Sequence, residues 1–216
     1  MMAESAYTQR EEFVHRLTHW VGIVASLLAI PWLAWTAARH GDNWRLFSGV
    51  VFGVSALLLF VTSVRYHRSL DPDEKQRRRR LDHSAIYVLI AGTYTPFMLG
   101  VMRGTWGWIL LGVIWTLAVL GIVMKTTPLG FRFHRISVAL YLLMGWLIVI
   151  AVEPLMNSLT RFELSWLVAG GLLYTLGVPF YLWKSRPYSH AIWHVFVLAG
   201  VACHFVAIMS TMSNTV

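Results

Sequence analysis

Seven stretches of this 216-residue chain contain no Asp, Glu, Lys or Arg: Leu17–Ala38, Leu46–Val64, Ser84–Met102, Gly104–Met124, Ile136–Val152, Leu164–Trp183 and Ala191–Met212. Each is roughly 17–22 residues long, close to the ~20 that a helix needs to cross a ~30 Å hydrocarbon core. A soluble domain has room for one buried helix of this kind, not for seven in succession. Within lipid no water satisfies the backbone, so each stretch must be helical. The chain therefore reads as all-α, a polytopic membrane protein built as a seven-transmembrane-helix bundle. Only 13% of its residues are charged, too few to clothe a soluble globule of this size.

The connections are too short to hold a second domain. The expected organisation is a short amino-terminal segment, residues 1–16, and one membrane domain, residues 17–212. Its helices are expected near 17–38, 46–67, 82–102, 104–124, 134–152, 163–183 and 189–212. The first sixteen residues include Glu4, Arg10, Glu11, Glu12 and Arg16 and no apolar core, so no cleaved signal peptide is expected. The lone cysteine, Cys203, falls inside the last stretch and offers no disulfide framework.

A net charge of +8 would point to nucleic acid in a soluble chain, but topology accounts for it here. The amino-terminal segment and the connections after the second, fourth and sixth spans share one side of the membrane. They hold thirteen basic residues: Arg10, Arg16, Arg68, Lys75, Arg77 to Arg80, Lys125, Arg132, Arg135, Lys184 and Arg186. The other side has four, Arg39, Arg45, Arg103 and Arg161. The positive-inside rule then expects a cytoplasmic amino terminus and an external carboxyl terminus. Arg77–Arg80 would anchor that topology and touch anionic headgroups. The expected partners are membrane lipids, with no nucleic acid. No sequence feature sets an oligomeric state.

Ionisable residues within or beside a span cost roughly 2.5–3.5 kcal/mol each, so each needs a reason. The second span ends in Ser63-Val-Arg-Tyr-His67, the third opens with Asp82-His83-Ser84, and the seventh opens with His190-Ala-Ile-Trp-His194. Spacing of i and i+4 projects His190 and His194 from one helical face, about a turn apart, as two nitrogen ligands of one ion require. Ser63 and His67 share that spacing. Topology places His67, Asp82, His190 and His194 at the same end of the bundle. Three imidazoles and a carboxylate at one depth suit zinc with three protein ligands and an open water position. Asp82 read by itself would also serve as a helix amino-terminal cap.

His15, His40 and His134 read as polar residues at the headgroups. His204 lies ten residues beyond His194, roughly 15 Å along the helix, too far to join the same ion. With His19 it is expected to form an interhelical hydrogen-bond pair or to line a cavity. Pro31, Pro96 and Pro179 are expected to kink their helices, with Pro96 opening space beside the site.

Taken together, Ser63-x3-His67, Asp82, Gly92-Thr-Tyr-Thr-Pro96 and His190-x3-His194 with His204 beyond resemble the hemolysin III proteins. These are the bacterial branch of the progestin and adipoQ receptor family, distantly similar to alkaline ceramidases. The resemblance runs from about Glu11 to Met209. It implies that three histidines bind zinc and an aspartate holds a zinc-bound water. By matching motif, the metal ligands are His67, His190 and His194, the water partner is Asp82, and Ser63 is a supporting polar group. It also implies residence in a bacterial cytoplasmic (inner) membrane. The animal receptors carry a long cytosolic amino-terminal region; about sixteen residues precede the first span here, which favours the short bacterial form over a hormone receptor.

The resulting expectation is a zinc-dependent intramembrane hydrolase of a lipid amide or ester, with Asp82 and Ser63 as the catalytic pair. Three other classes stay open on the sequence. They are a non-enzymatic sensor of membrane state with structural zinc, a membrane-lytic protein as the family name implies, and a haem electron carrier using transmembrane histidines. No lysine lies within the seventh span to form a retinal Schiff base.

Overall fold

The computed structural model describes residues 7–39, 42–127 and 134–213, with His134 and Arg135 described by their backbone alone. His40 and Arg132 lie outside the described residues, as does the side chain of His134. The helices in chain order are α1 (Gln9–Arg39), α2 (Asn43–Arg68), α3 (Pro72–Pro96), α4 (Thr105–Thr126), α5 (His134–Trp146), α6 (Val152–Ser158), α7 (Arg161–Leu182) and α8 (Ser189–Ser213). A π-helical turn, Phe97–Val101, continues α3 past Pro96, and a 3-10 turn, Leu147–Ala151, joins α5 to α6. Among the described residues seven segments are long and apolar enough to cross a membrane, the fifth being Ile136–Ser158 across α5 and α6. The fold is a seven-helix membrane bundle, as the charge-free stretches require.

Local chemistry explains where the helices begin. The Asp42 carboxylate accepts from the amides of Trp44 and Arg45 at 2.9 and 3.4 Å and starts α2. Asp71 accepts from the Glu74 amide at 2.8 Å with Pro72 opening α3. Thr160 and Glu163 exchange bonds in a capping box at α7. Each such cap is worth about 1 kcal/mol, since it satisfies amides that the helix leaves open.

Two starts differ from the sequence expectation. α1 begins at Gln9, where Thr8 and Glu11 exchange bonds at 2.9 and 3.2 Å. α3 begins at Pro72, and so Arg77–Arg80 lie on a helix and not in a connection. The charge-free stretches mark what lipid covers, whereas caps decide how far a helix runs beyond it. Asp82 consequently sits inside α3 and caps nothing.

The bundle is apolar on its outside: Leu28 is 68% exposed, Ile150 63% and Leu120 60%. Burying side chains of this size gives roughly 1.5–3 kcal/mol each, and lipid is the medium that supplies it. Inside, α3 is the most buried span, packed against α2 and α4, while α1 lies between α2 and α8, and α7 packs on α8. α1 and α2 approach closely through glycine. A Cβ at Gly22 would meet the Phe60 ring at 2.6 Å, and one at Gly53 would meet Ile30 at 2.5 Å. This packing brings the last turn of α2 and the first turns of α8 against the amino-terminal half of α1.

Candidate metal centre

His190 and His194 occupy one face at the start of α8, with ring centres 4.5 Å apart. The last turn of α2 brings in His67, whose ring centre is 5.3 Å from His190 and 5.2 Å from His194. One nitrogen from each of the three lies within 4.8 Å of the other two. Tetrahedral zinc with bonds of about 2.0–2.1 Å would separate its nitrogens by roughly 3.4 Å, so small side-chain adjustments complete the geometry. His67 and His194 are buried.

Asp82 and Ser63 are also brought together. Both line a cavity of about 220 Å³ with His190 and His194. The cavity is mostly apolar, walled by residues such as Ile86, Ile90, Leu142, Val178 and Val197. Its polar wall holds further groups. The Tyr141 hydroxyl donates to the His83 carbonyl at 2.9 Å, and Tyr181 is bonded to His83 Nε2 at 3.2 Å.

His204 is remote from the three-histidine group, as its spacing predicts. Its Nε2 donates to the Leu167 carbonyl at 3.2 Å, its ring packs on Tyr174, and it lines the cavity together with His19. Cavity lining, the second of the two expected roles, is what the pair does. Pro96 sits where α3 passes into the π turn, and Tyr94 and Phe97 beside it line the same cavity.

The amino-terminal half of α1 supplies what sequence reading missed. His15 is not at the headgroups: it is fully buried, with its ring centre 4.7 Å from His67, 4.9 Å from His190 and 5.3 Å from His194. The reason is that α1 begins at Gln9 and wedges between α2 and α8. His19 packs edge-on against His194 with centres 3.9 Å apart, and Tyr7 stacks on His190 at 5.3 Å. Glu12 accepts from His67 Nδ1 at 2.7 Å and pairs with the Lys75 ammonium. Glu12, His15 and His67 form a second group with metal-binding geometry. Glu11 accepts from the Tyr188 amide at 3.1 Å, in the turn that launches α8. Tyr188 has φ of 58°, a left-handed conformation that costs a side-chain-bearing residue roughly 1–2 kcal/mol.

The donor set fits a metal ion. With His67 Nδ1 committed to Glu12, His67 Nε2 is buried without a hydrogen-bond partner among the described residues. A carboxylate on one ring nitrogen and a vacant lone pair on the other is the usual state of a metal-binding histidine.

The sequence pattern of proteins described as Haemolysin-III related matches residues 7–205. The chain belongs to this family. It is 46% identical over 203 residues to the "Hemolysin-3 homolog" of Bacillus subtilis (strain 168), covering 94% of this chain and 95% of that protein. It is 44% identical over 200 residues to "Hemolysin-3" of Bacillus cereus, covering 93% and 91%. The human "Monocyte to macrophage differentiation factor" is 29% identical over 204 residues, covering 85% and 79%. The haemolysin-III match begins at residue 7 and so takes in the α1 residues that meet the histidine cluster. One sequence signal would have found them. His15, His19, Gly22, Ile23 and Ser26 repeat at helical spacing, and all are buried.

Proposed function

We propose that this protein is a zinc-dependent intramembrane hydrolase that cleaves an amide or ester bond of a lipid. The observation that carries the reading is the gathering of His67, His190 and His194 beside an apolar cavity whose wall bears both Asp82 and Ser63. A zinc ion held by the three imidazoles would polarise the scissile carbonyl and lower the pKa of a water toward about 7. Asp82 receives a proton from the attacking water and returns it to the leaving amine or alcohol as the C–N or C–O bond breaks. Ser63 holds the carboxylate in its working orientation. The cavity takes the acyl chain and excludes bulk water. The excess of basic residues on one side supports a cytoplasmic amino terminus, and the likeness to the Bacillus relatives supports residence in a bacterial cytoplasmic (inner) membrane.

The test measures zinc content and lipid products together for purified wild type, Asp82→Asn and His194→Ala. Asparagine keeps the shape of the carboxylate but cannot take the proton, and loss of a general base costs about 10²–10⁴ in rate. The expected result is full zinc with negligible turnover in Asp82→Asn, and loss of both in His194→Ala. Turnover unchanged in Asp82→Asn removes that residue from the mechanism.

One observation favours a second reading, a non-enzymatic sensor of membrane state with structural zinc. The buried His15 ring packs against all three histidines at the distances given above; its nitrogens are not part of the three-histidine group, but a closed structural site would draw on a fourth imidazole of this kind. Zinc-loaded wild type that turns over no lipid selects this alternative.

A further inference from the structure

Residues of α1 touch two of the three histidines through hydrogen bonds, and both contacts are to the same ring atom. His67 Nδ1 faces Glu12 Oε2 at 2.7 Å. His194 Nδ1 faces Thr18 Oγ1 at 3.2 Å. We infer that the amino-terminal half of α1 is the orienting shell of the metal centre: Glu12 and Thr18 are positioning residues that hold His67 and His194 as Nδ1–H tautomers and so aim both Nε2 lone pairs at the ion. The inference rests on the metal reading of the preceding subsection.

The proton positions follow from what each partner is able to do. An ionised carboxylate only accepts, so the Glu12 contact requires a proton on His67 Nδ1. A threonine hydroxyl has one proton. That of Thr18 is taken by its own helix, with the His15 carbonyl at 2.9 Å and the Val14 carbonyl at 3.2 Å. Its oxygen is then left to accept from His194 Nδ1. Each ring is thereby fixed in one tautomer and one rotation, with Nε2 as its lone-pair nitrogen. In His67 that nitrogen is buried and without a hydrogen-bond partner among the described residues.

Glu12 does more than accept one bond. Its second oxygen pairs with Lys75, near the start of α3, so one carboxylate joins α1, the end of α2 and the beginning of α3. That pairing also argues against the competing use of the same residues. Glu12, His15 and His67 could hold a second ion, but an ammonium on the carboxylate opposes a cation there. The 2.7 Å contact is moreover the length of a charge-assisted hydrogen bond, which leaves no room for a metal between its two atoms.

The experiment uses the full chain in detergent and titrates zinc against a competing chelator. The variants are Glu12→Ala, Glu12→Gln, Thr18→Val and Thr18→Ser. Removing a partner that orients a metal ligand costs 10–100-fold in metal affinity, so Glu12→Ala and Thr18→Val are expected to bind zinc that much more weakly. Glu12→Gln and Thr18→Ser keep an acceptor oxygen and are expected to stay close to wild type. In zinc-free protein labelled with nitrogen-15 histidine, Glu12→Ala should lose one Nδ1–H tautomer signal. A role in helix packing alone would lower thermal stability without moving that signal. Wild-type affinity in both Glu12→Ala and Thr18→Val overturns the inference and leaves the metal reading standing. Two zinc ions per wild-type chain, falling to one in Glu12→Ala, overturns it by making Glu12 a ligand. No zinc uptake by wild type removes this inference and the metal reading together.

Discussion

Two glutamates near helix starts at opposite ends of the bundle, Glu163 buried and Glu12 half-buried, are used in opposite ways. Glu163, in the first turn of α7, accepts from the Thr160 amide at 2.8 Å and from the Ser210 hydroxyl at 3.0 Å, and its own amide bonds the Thr160 hydroxyl. These partners are neutral, and together they tie the start of α7 to the end of α8. Glu12, in the first turn of α1, instead has charged or chargeable partners, Lys75 and His67. Around it both ring nitrogens of His15, both of His19 and Nε2 of His67 are buried without hydrogen bonds among the described residues. An unsatisfied buried polar group costs about 1–3 kcal/mol. The difference separates a carboxylate bonded within the fold from one proposed to serve a ligand site. The first completes the bonding of its neighbours, and the second stands among neighbours whose bonding a ligand would complete.

The largest effect that can break this comparison comes from α8 itself, since that helix runs from one end to the other. His190→Ala or His194→Ala should remove most bound zinc, while His204→Ala, roughly 15 Å further along the same helix, should leave it in place. Metal analysis of the purified variants reads this directly, and equal losses at His194 and His204 would erase the distinction between the two ends.

Next in size are changes at the far end. Glu163→Ala leaves Ser210 and the Thr160 amide without their acceptor, which should lower stability by about 1–3 kcal/mol and leave zinc uptake unchanged. Gly107→Ala sharpens the same point through packing. Its new methyl would lie 2.5 Å from the carbonyl oxygens of Met98 and Met102, which are backbone and cannot swing aside. Overpacking of this kind costs about 1–3 kcal/mol. Thermal unfolding followed in parallel with zinc titration tests both variants, and a fall in zinc affinity in either would show that the far end is not merely structural.

The smallest expected effect lies at the histidine end. Asp71 caps α3 from outside the cluster, so Asp71→Ala should cost about 1 kcal/mol and spare the site. A zinc affinity that falls with it would mean that the start of α3, which carries Lys75, is coupled to the metal centre more tightly than its hydrogen bonds indicate.

The membrane fold and the three candidate ligands were legible from sequence because both rest on local constants. Bilayer thickness and helical rise together convert a charge-free run into a span, and an i, i+4 spacing converts into a shared face. Counting spans then placed His67, Asp82, His190 and His194 at one end without any knowledge of contacts. The extent of the helices was less legible. The charged residues before Leu17 and Ser84 read as connections, yet capping at Thr8 and Asp71 carries α1 and α3 through them.

What only the tertiary structure decided is the company those ligands keep. Glu12 and His67 are 55 residues apart and meet only because α1 packs closely on α2, past Gly22 and Gly53. Thr18 and His194 are 176 residues apart and meet only because the same helix also packs on α8. Neither contact has a period or a motif in the chain, since the angle and depth at which three helices pack are set by side-chain volumes summed over the whole interface. By itself, therefore, the sequence determined the span count, the topology it expects and the spacing of the candidate ligands. The wedge of α1 decided which ring nitrogens are held by partners and which are left open, because a hydrogen bond depends on tenths of an ångström that no local rule supplies.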